Sequence, residues 1–319
     1  MRRHSFVGFH MLVAAVLATI APAAAQMPDD IAAKVREIGR VTDPPKTAPL
    51  YNFMHPKEPY EGVKVTRDAK YGPDTRHVLD VFTPENLSSQ APVMIFIHGG
   101  GYVGGNKRGA PGSPGEPFYD NFMLFAAKNG MVGVNATYRL APANPWPASH
   151  EDIGTMLKWV HANIATHGGD PKQIFLVGSS AGGGVVAGYM ADPKFFPAAN
   201  DIGVKAILLL AGNVYDFTLF PAEPNVKQFI GEDASKYAER SPLIGMMKVN
   251  VPLFISWAEL DPPEVIQQSR ILNANLCNKG RCPTRLFMPK HSHMSTVYAV
   301  NTDDRQLTDA MLAFMKGVK

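Results

Sequence analysis

Short apolar runs alternate along this chain with longer stretches in which apolar residues return every three or four positions. Val93-Met94-Ile95-Phe96-Ile97, Met131 to Thr137, Ile174-Phe175-Leu176-Val177, Val204 to Leu210, Val251 to Ser256 and Thr284 to Met288 have the length and composition of strands. The unbroken apolar ones predict strands buried on both faces. Helical spacing appears at Asp29–Arg40, with Ile31, Ala32, Val35 and Ile38 on one face behind Asp29 and Asp30 in the capping turn. It returns at 121–128, at Glu151–Ala165 with its stripe Ile153, Met156, Leu157, Val160 and Ile164, at Glu264–Leu276 and at Asp303–Lys316. Ahead of these, Val63–Arg67 and His77–Phe82 read as an antiparallel pair turning at Gly72-Pro73-Asp74. Strands alternating with helices over mostly short links predict an α/β fold, a mostly parallel doubly wound sheet with helices on both faces.

Three stretches interrupt that alternation. Residues 41–60 hold Pro44, Pro45, Pro49, Pro56 and Pro59 and read as an extended connector, so 26–60 forms an N-terminal helix plus connector. Residues 102–116 are a glycine-rich loop. Residues 212–250 read as a partly helical insertion, a candidate lid, whose Tyr215, Phe217, Phe220 and Phe229 are packing residues rather than a clamp. Nothing suggests a repeat or a second domain, and 26–319 is read as one α/β unit.

Composition changes the picture at the N-terminus. Residues 1–25 combine basic Arg2 and Arg3, an apolar run from Met11 to Ile20 and Ala23-Ala24-Ala25, the pattern of a cleaved secretory signal too short to span a bilayer. The expected location is therefore the periplasm or beyond, with no membrane attachment after cleavage. The formal charge of +3 has no Lys/Arg cluster behind it, which argues against a nucleic-acid partner. The two cysteines, Cys277 and Cys282, are expected to pair, since export permits a disulfide and no other thiol competes. They lack metal-site spacing, and His291 with His293 lacks a third ligand. No metal or cofactor is implied.

The chemistry centres on Gly178-Ser179-Ser180-Ala181-Gly182, between a predicted strand and a small-residue helix. A G-x-S-x-G pattern there fits a sharp turn that presents Ser180 at a helix N-terminus, where backbone amides favour developing negative charge. A glycine-rich turn with an incidental serine would carry the same five residues. Other strand ends in the same sheet decide between the two readings. His98-Gly99-Gly100-Gly101 follows one strand, Asp261 another and His293 the last. In an open parallel sheet reactive groups gather at such carboxyl ends. A serine, a histidine to take its proton, a carboxylate to orient the imidazole and backbone amides for an oxyanion are the parts of acyl transfer. Asp152 and Asp170 are read as capping and turn residues and Arg139 as a carboxylate's partner. His55, His77, His150, His161 and His167 are assigned to the surface.

His98-Gly99-Gly100-Gly101, Tyr138-Arg139-Leu140-Ala141-Pro142, Gly168-Gly169-Asp170-Pro171 and Gly178-Ser179-Ser180-Ala181-Gly182-Gly183 together resemble the carboxylesterase and hormone-sensitive-lipase-like α/β-hydrolases, over about residues 75–315. The resemblance implies Ser180 as nucleophile and Gly100, Gly101 and Ala181 as oxyanion amides. It implies Asp261 as the acid, favoured over Glu259 by the following Pro262. It implies His293 as base, though Met294 stands where those proteins carry an aromatic, and His291 competes. The expected protein is an exported serine carboxylesterase acting on small to medium esters through an acyl-enzyme. An amidase or formamidase with the same triad, and a silent binding protein on the same fold, are the rivals.

Overall fold

The computed structural model describes residues 26–109, 117–198, 201, 203–219 and 223–318. The expected signal segment lies outside them. Eight strands form one sheet: β1 (Val63–Lys70), β2 (Val78–Pro84), β3 (Ala91–Ile97), β4 (Val132–Ala136), β5 (Gly169–Ser179), β6 (Ala206–Leu210), β7 (Leu253–Leu260) and β8 (Thr284–Ser292). Their order across the sheet is β1-β2-β4-β3-β5-β6-β7-β8. The pairs β1/β2 and β2/β4 are antiparallel and every later pair is parallel.

The central strands are apolar without alternation because each face meets its own core. Val93, Ile95 and Ile97 of β3 and Ile174 and Leu176 of β5 join Ile153, Leu157 and Val160 of helix Ala148–Asn163. Met94, Phe96, Phe175 and Val177 point the other way, onto Val35 of helix Asp29–Ile38, Phe122 of Asp120–Lys128 and Met311 of Gln306–Gly317. Each fully buried Leu, Ile or Phe contributes roughly 1.5–3 kcal/mol of transfer free energy. The sheet is therefore held rigidly, and so are the side chains at its strand ends.

Several boundaries move. β5 begins at Gly169, paired with Ala91, so part of the expected Gly-Gly-Asp-Pro turn is already strand. β7 and β8 both run on, because pairing continues to Leu260 and Ser292 across an irregularity after Ala258. The stretch after Arg40 is not extended. It winds into short turns at Pro44–Thr47, Ala48–Leu50 and Asn52–Met54, the first opened by Asp43, whose side chain accepts from Lys46 N–H, with Pro at the position where a missing N–H costs nothing.

Three histidines assigned to the surface lie in the core: His55, His77 and His150 are all buried. Each has close neighbours there. His55 Nε2 is 2.9 Å from Tyr298 O, His77 Nε2 is 2.9 Å from Asp152 Oδ1, and His150 sits edge-on to Phe195 and Phe229. Asp152 does not cap either. Its helix starts four residues earlier, at Ala148, and its carboxylate takes Arg139 N–H and Nε at 2.7 and 2.8 Å. In the 212–250 stretch, helix Pro224–Ile230 and shorter turns follow Phe217, and Tyr215, Phe217 and Phe229 are buried, while Phe220 is outside the described residues. Cys277 and Cys282 form a disulfide at the end of helix Pro263–Asn278. No described helix is long and apolar enough to cross a membrane.

Candidate active site

β5 stops at Ser179 and helix Ala181–Ala191 starts at once, leaving Ser180 alone in the turn at φ 54°, ψ −127°. That left-handed conformation strains a residue with a Cβ and persists only where the surroundings over-determine it. They do so here. Ser180 N–H donates to Leu210 O on β6 at 3.0 Å, and Ser180 O accepts from the N–H groups of Gly183, Gly184 and Asn213. The glycines are obligatory for a separate reason. A Cβ on Gly178 would overlap the Gly182 carbonyl, and one on Gly182 would overlap the carbonyl oxygens of Ile97 and His98.

His293 Nε2 lies 2.8 Å from Ser180 Oγ, and His293 Nδ1 lies 2.7 Å from Asp261 Oδ1. Asp261 is fully buried past the end of β7, and its other oxygen accepts the Ala258 N–H at 2.6 Å. A carboxylate at Nδ1 requires the proton there, which leaves Nε2 free to accept from the serine hydroxyl. His293 opens the helix His293–Tyr298, whose start is fixed by a capping box between Ser292 and Ser295.

The competing residues are occupied elsewhere. His291 is fully buried, with Nδ1 3.1 Å from Ser295 Oγ and Nε2 3.0 Å from Asp304 Oδ2. Glu259 accepts the Lys290 N–H at 2.7 Å. Of the two histidines and two carboxylates weighed from the sequence, His293 and Asp261 are the pair that meets Ser180.

Gly100 and Gly101 face the same space with φ of 124° and 61°, values that favour glycine. No backbone acceptor among the described residues engages their N–H groups. Ala181, first in its helix, has no intrahelical acceptor for its own N–H. His98, fully buried, holds the loop from behind. Its Nδ1 is 2.7 Å from Gly99 O, its ring stacks on Tyr138, and burial pushes its pKa down to about 3, so the imidazole is neutral.

The cavity in front of Ser180 has a volume of about 530 Å³. Its walls include Thr42, Asn213, Glu223, Asn225, Glu264 and Met294, none of which carries a signal a single sequence could expose. Tyr119 and Tyr298 also line it, and burial raises both phenols, Tyr119 to about 12, so they are hydroxyl donors at neutral pH. Among the described residues no group of three His, Cys, Asp or Glu side chains could hold a metal ion.

Residues 79–276 match the BD-FAE family, more than half of the chain. This chain belongs to the BD-FAE family. The BD-FAE stretch contains Gly100, Gly101, Ser180 and Asp261 and ends before His293. Among curated proteins, the chain is 33% identical over 201 residues to the probable carboxylic ester hydrolase LipM of Mycobacterium tuberculosis, covering 58% of this chain and 44% of LipM. It is 28% identical over 300 residues to the esterase LipQ of the same organism, covering 87% of this chain and 68% of LipQ. The matched stretch is thus less than half of LipM and about two thirds of LipQ. In three dimensions it is similar to esterase B from Lactobacillus rhamnosis, with a TM-score of 0.71 at 18% identity over 91% of this chain and 95% of that one. The fold is that of the α/β-hydrolases, as the sequence resemblance implies.

Proposed function

We propose that this protein is a serine carboxylesterase that hydrolyses small to medium carboxylic esters through an acyl-enzyme on Ser180. One observation carries the reading: the unbroken chain Asp261 Oδ1, His293, Ser180 Oγ, with both links under 3 Å, at the mouth of a cavity that Gly100 and Gly101 line. The names of LipM and LipQ support the ester as substrate. The volume of about 530 Å³ suits a ligand of modest size.

In the first half-reaction His293 Nε2 takes the Ser180 proton as Oγ bonds to the ester carbonyl carbon. The oxyanion so formed faces the N–H groups of Gly100, Gly101 and Ala181 at a helix N-terminus. Asp261 stabilises the imidazolium, which then protonates the departing alcohol oxygen as the ester bond breaks. In the second half-reaction His293 takes a proton from water, the hydroxide attacks the acyl carbon, and collapse returns the proton to Ser180 with release of the acid. The leader pattern at 1–25 and the Cys277–Cys282 bridge support export to the periplasm or beyond.

The test pairs turnover with labelling. The purified protein should hydrolyse a short-chain aryl ester faster than its matching amide and take up one fluorophosphonate, mapped by mass spectrometry to Ser180. Labelling elsewhere, or a preference for the amide, overturns the reading.

A further inference from the structure

Arg76 stands in the turn between β1 and β2, and nothing in its local sequence marks it. Its Nε donates to Tyr138 O at 2.6 Å, its Nη2 donates to Gly105 O at 3.0 Å, and the same Nη2 lies 3.4 Å from His98 Nε2. It forms no ion pair with a carboxylate among the described residues. A half-buried guanidinium held by two carbonyls and an imidazole is spending its donors on the geometry of what it touches.

What it touches is the back of the glycine loop. A guanidinium offers only donors, so the His98 nitrogen facing it must carry a lone pair. The neutral ring then bears its hydrogen on Nδ1, which donates to Gly99 O at 2.7 Å. The opposite tautomer would set two hydrogens against each other at Nε2 and two lone pairs against each other at Nδ1. The Gly99 carbonyl and the Gly100 N–H belong to one planar trans peptide and point in opposite directions. Holding the carbonyl against His98 therefore aims the Gly100 N–H away from it, toward the cavity that Gly100 lines with Ser180. Gly105 closes the arrangement. A Cβ there would overlap both Gly99 O and the His98 ring, so only glycine leaves room, and Arg76 fixes the Gly105 carbonyl as well.

We propose that Arg76 is a positioning residue for the oxyanion site, fixing the tautomer of His98 and through it the direction of the Gly100 N–H. Its kinetic consequence rests on the esterase reading; its effect on the tautomer does not. The experiment therefore reads both. Long-range ¹H–¹⁵N spectra of the labelled protein, with the His98 ring assigned by its disappearance in His98→Gln, should show hydrogen on Nδ1 and a bare Nε2. In Arg76→Met the ring should shift toward the Nε2–H form. Loss of one oxyanion donor costs about 10²–10³ in kcat, so a misaimed one should cost about tenfold per fluorophosphonate-titrated site, with KM within about twofold. Arg76→Lys, which still donates to Nε2, should recover part of that loss. Hydrogen on Nε2 in the wild type overturns the proposal, as does an unchanged kcat per titrated site in Arg76→Met. If Arg76→Met fails to fold, the wild-type spectrum and the His98 tautomer in Arg76→Lys decide the question. If the wild type hydrolyses no ester, the esterase reading falls, while the spectra still decide the link between Arg76 and His98.

Discussion

Ser180 carries both the strained backbone and the hydroxyl proposed to react, and these two properties respond to different substitutions. Ser180→Ala keeps a Cβ in the same turn, so its melting temperature should stay close to wild type while kcat falls by at least about 10³-fold. The two histidines should separate in the opposite sense. His293→Ala should abolish turnover with little loss of stability. His291→Ala strips a partner from the buried Asp304 and should lower the melting temperature by several degrees, with kcat per titrated site largely kept. Asp261→Asn should be severe and Glu259→Gln mild, since Glu259 meets a backbone amide rather than the imidazole. The serine turn and the glycine loop were legible because each is written in contiguous residues. His293 was favoured over His291 by resemblance alone, because two residues at a strand end differ locally only in where the helix begins. Ser292 and Ser295, three apart in the sequence, were the one local signal that the helix starts between them.

At the scale of elements, what escaped the sequence is polar contact between distant segments. Arg67 on β1 donates to Asp80 on β2 and to Asp120 at the start of its helix, while Lys107 is 2.7 Å from both Asp80 and Asp68. These bonds tie Lys107 in the glycine-rich loop, and Asp120 just beyond it, to the hairpin, and no periodicity announces them. The buried histidines went unrecognised for the same reason: their partners lie tens to hundreds of residues away. They also give the fold an acid limit. Burial pushes His98 and His150 down to about 3, so between about pH 6.5 and 3 the unfolded chain binds more protons than the folded one. Stability should therefore fall as the pH drops through that window, by about 1.4 kcal/mol per pH unit for each histidine. Urea midpoints against pH should show a shallower slope in His150→Gln by about one proton. An unchanged slope would mean that His150 titrates alike in both states. The disulfide acts at the end of helix Pro263–Asn278. Replacing Cys277 and Cys282 by Ser should lower stability by about 2 kcal/mol in the chain-entropy model, read by denaturant unfolding.

For the whole molecule, sheet type and strand content followed from unbroken apolar runs, because both faces of the sheet are covered. The walls of the cavity did not follow, since they come from segments as far apart as Thr42, Asn225 and Val297. Those walls carry two carboxylates, Glu223 and Glu264, and no Lys or Arg among the described residues. An ester bearing a negative charge remote from the scissile bond should accordingly show a kcat/KM about fivefold or more below that of a neutral ester of equal size, and salt should narrow the gap. Equal rates at low salt would remove the carboxylates from any part in selection. The sheet order has a further consequence, for the making of the protein. β8 lies at the edge of the sheet and is the last strand to be synthesised among the described residues, and His293 follows it directly. A growing chain thus carries Ser180 without its His293 neighbour for more than a hundred residues of synthesis, which at about 5–20 residues per second lasts several seconds or more. On the proposed mechanism, a serine without that imidazole beside it should not attack an ester during that time.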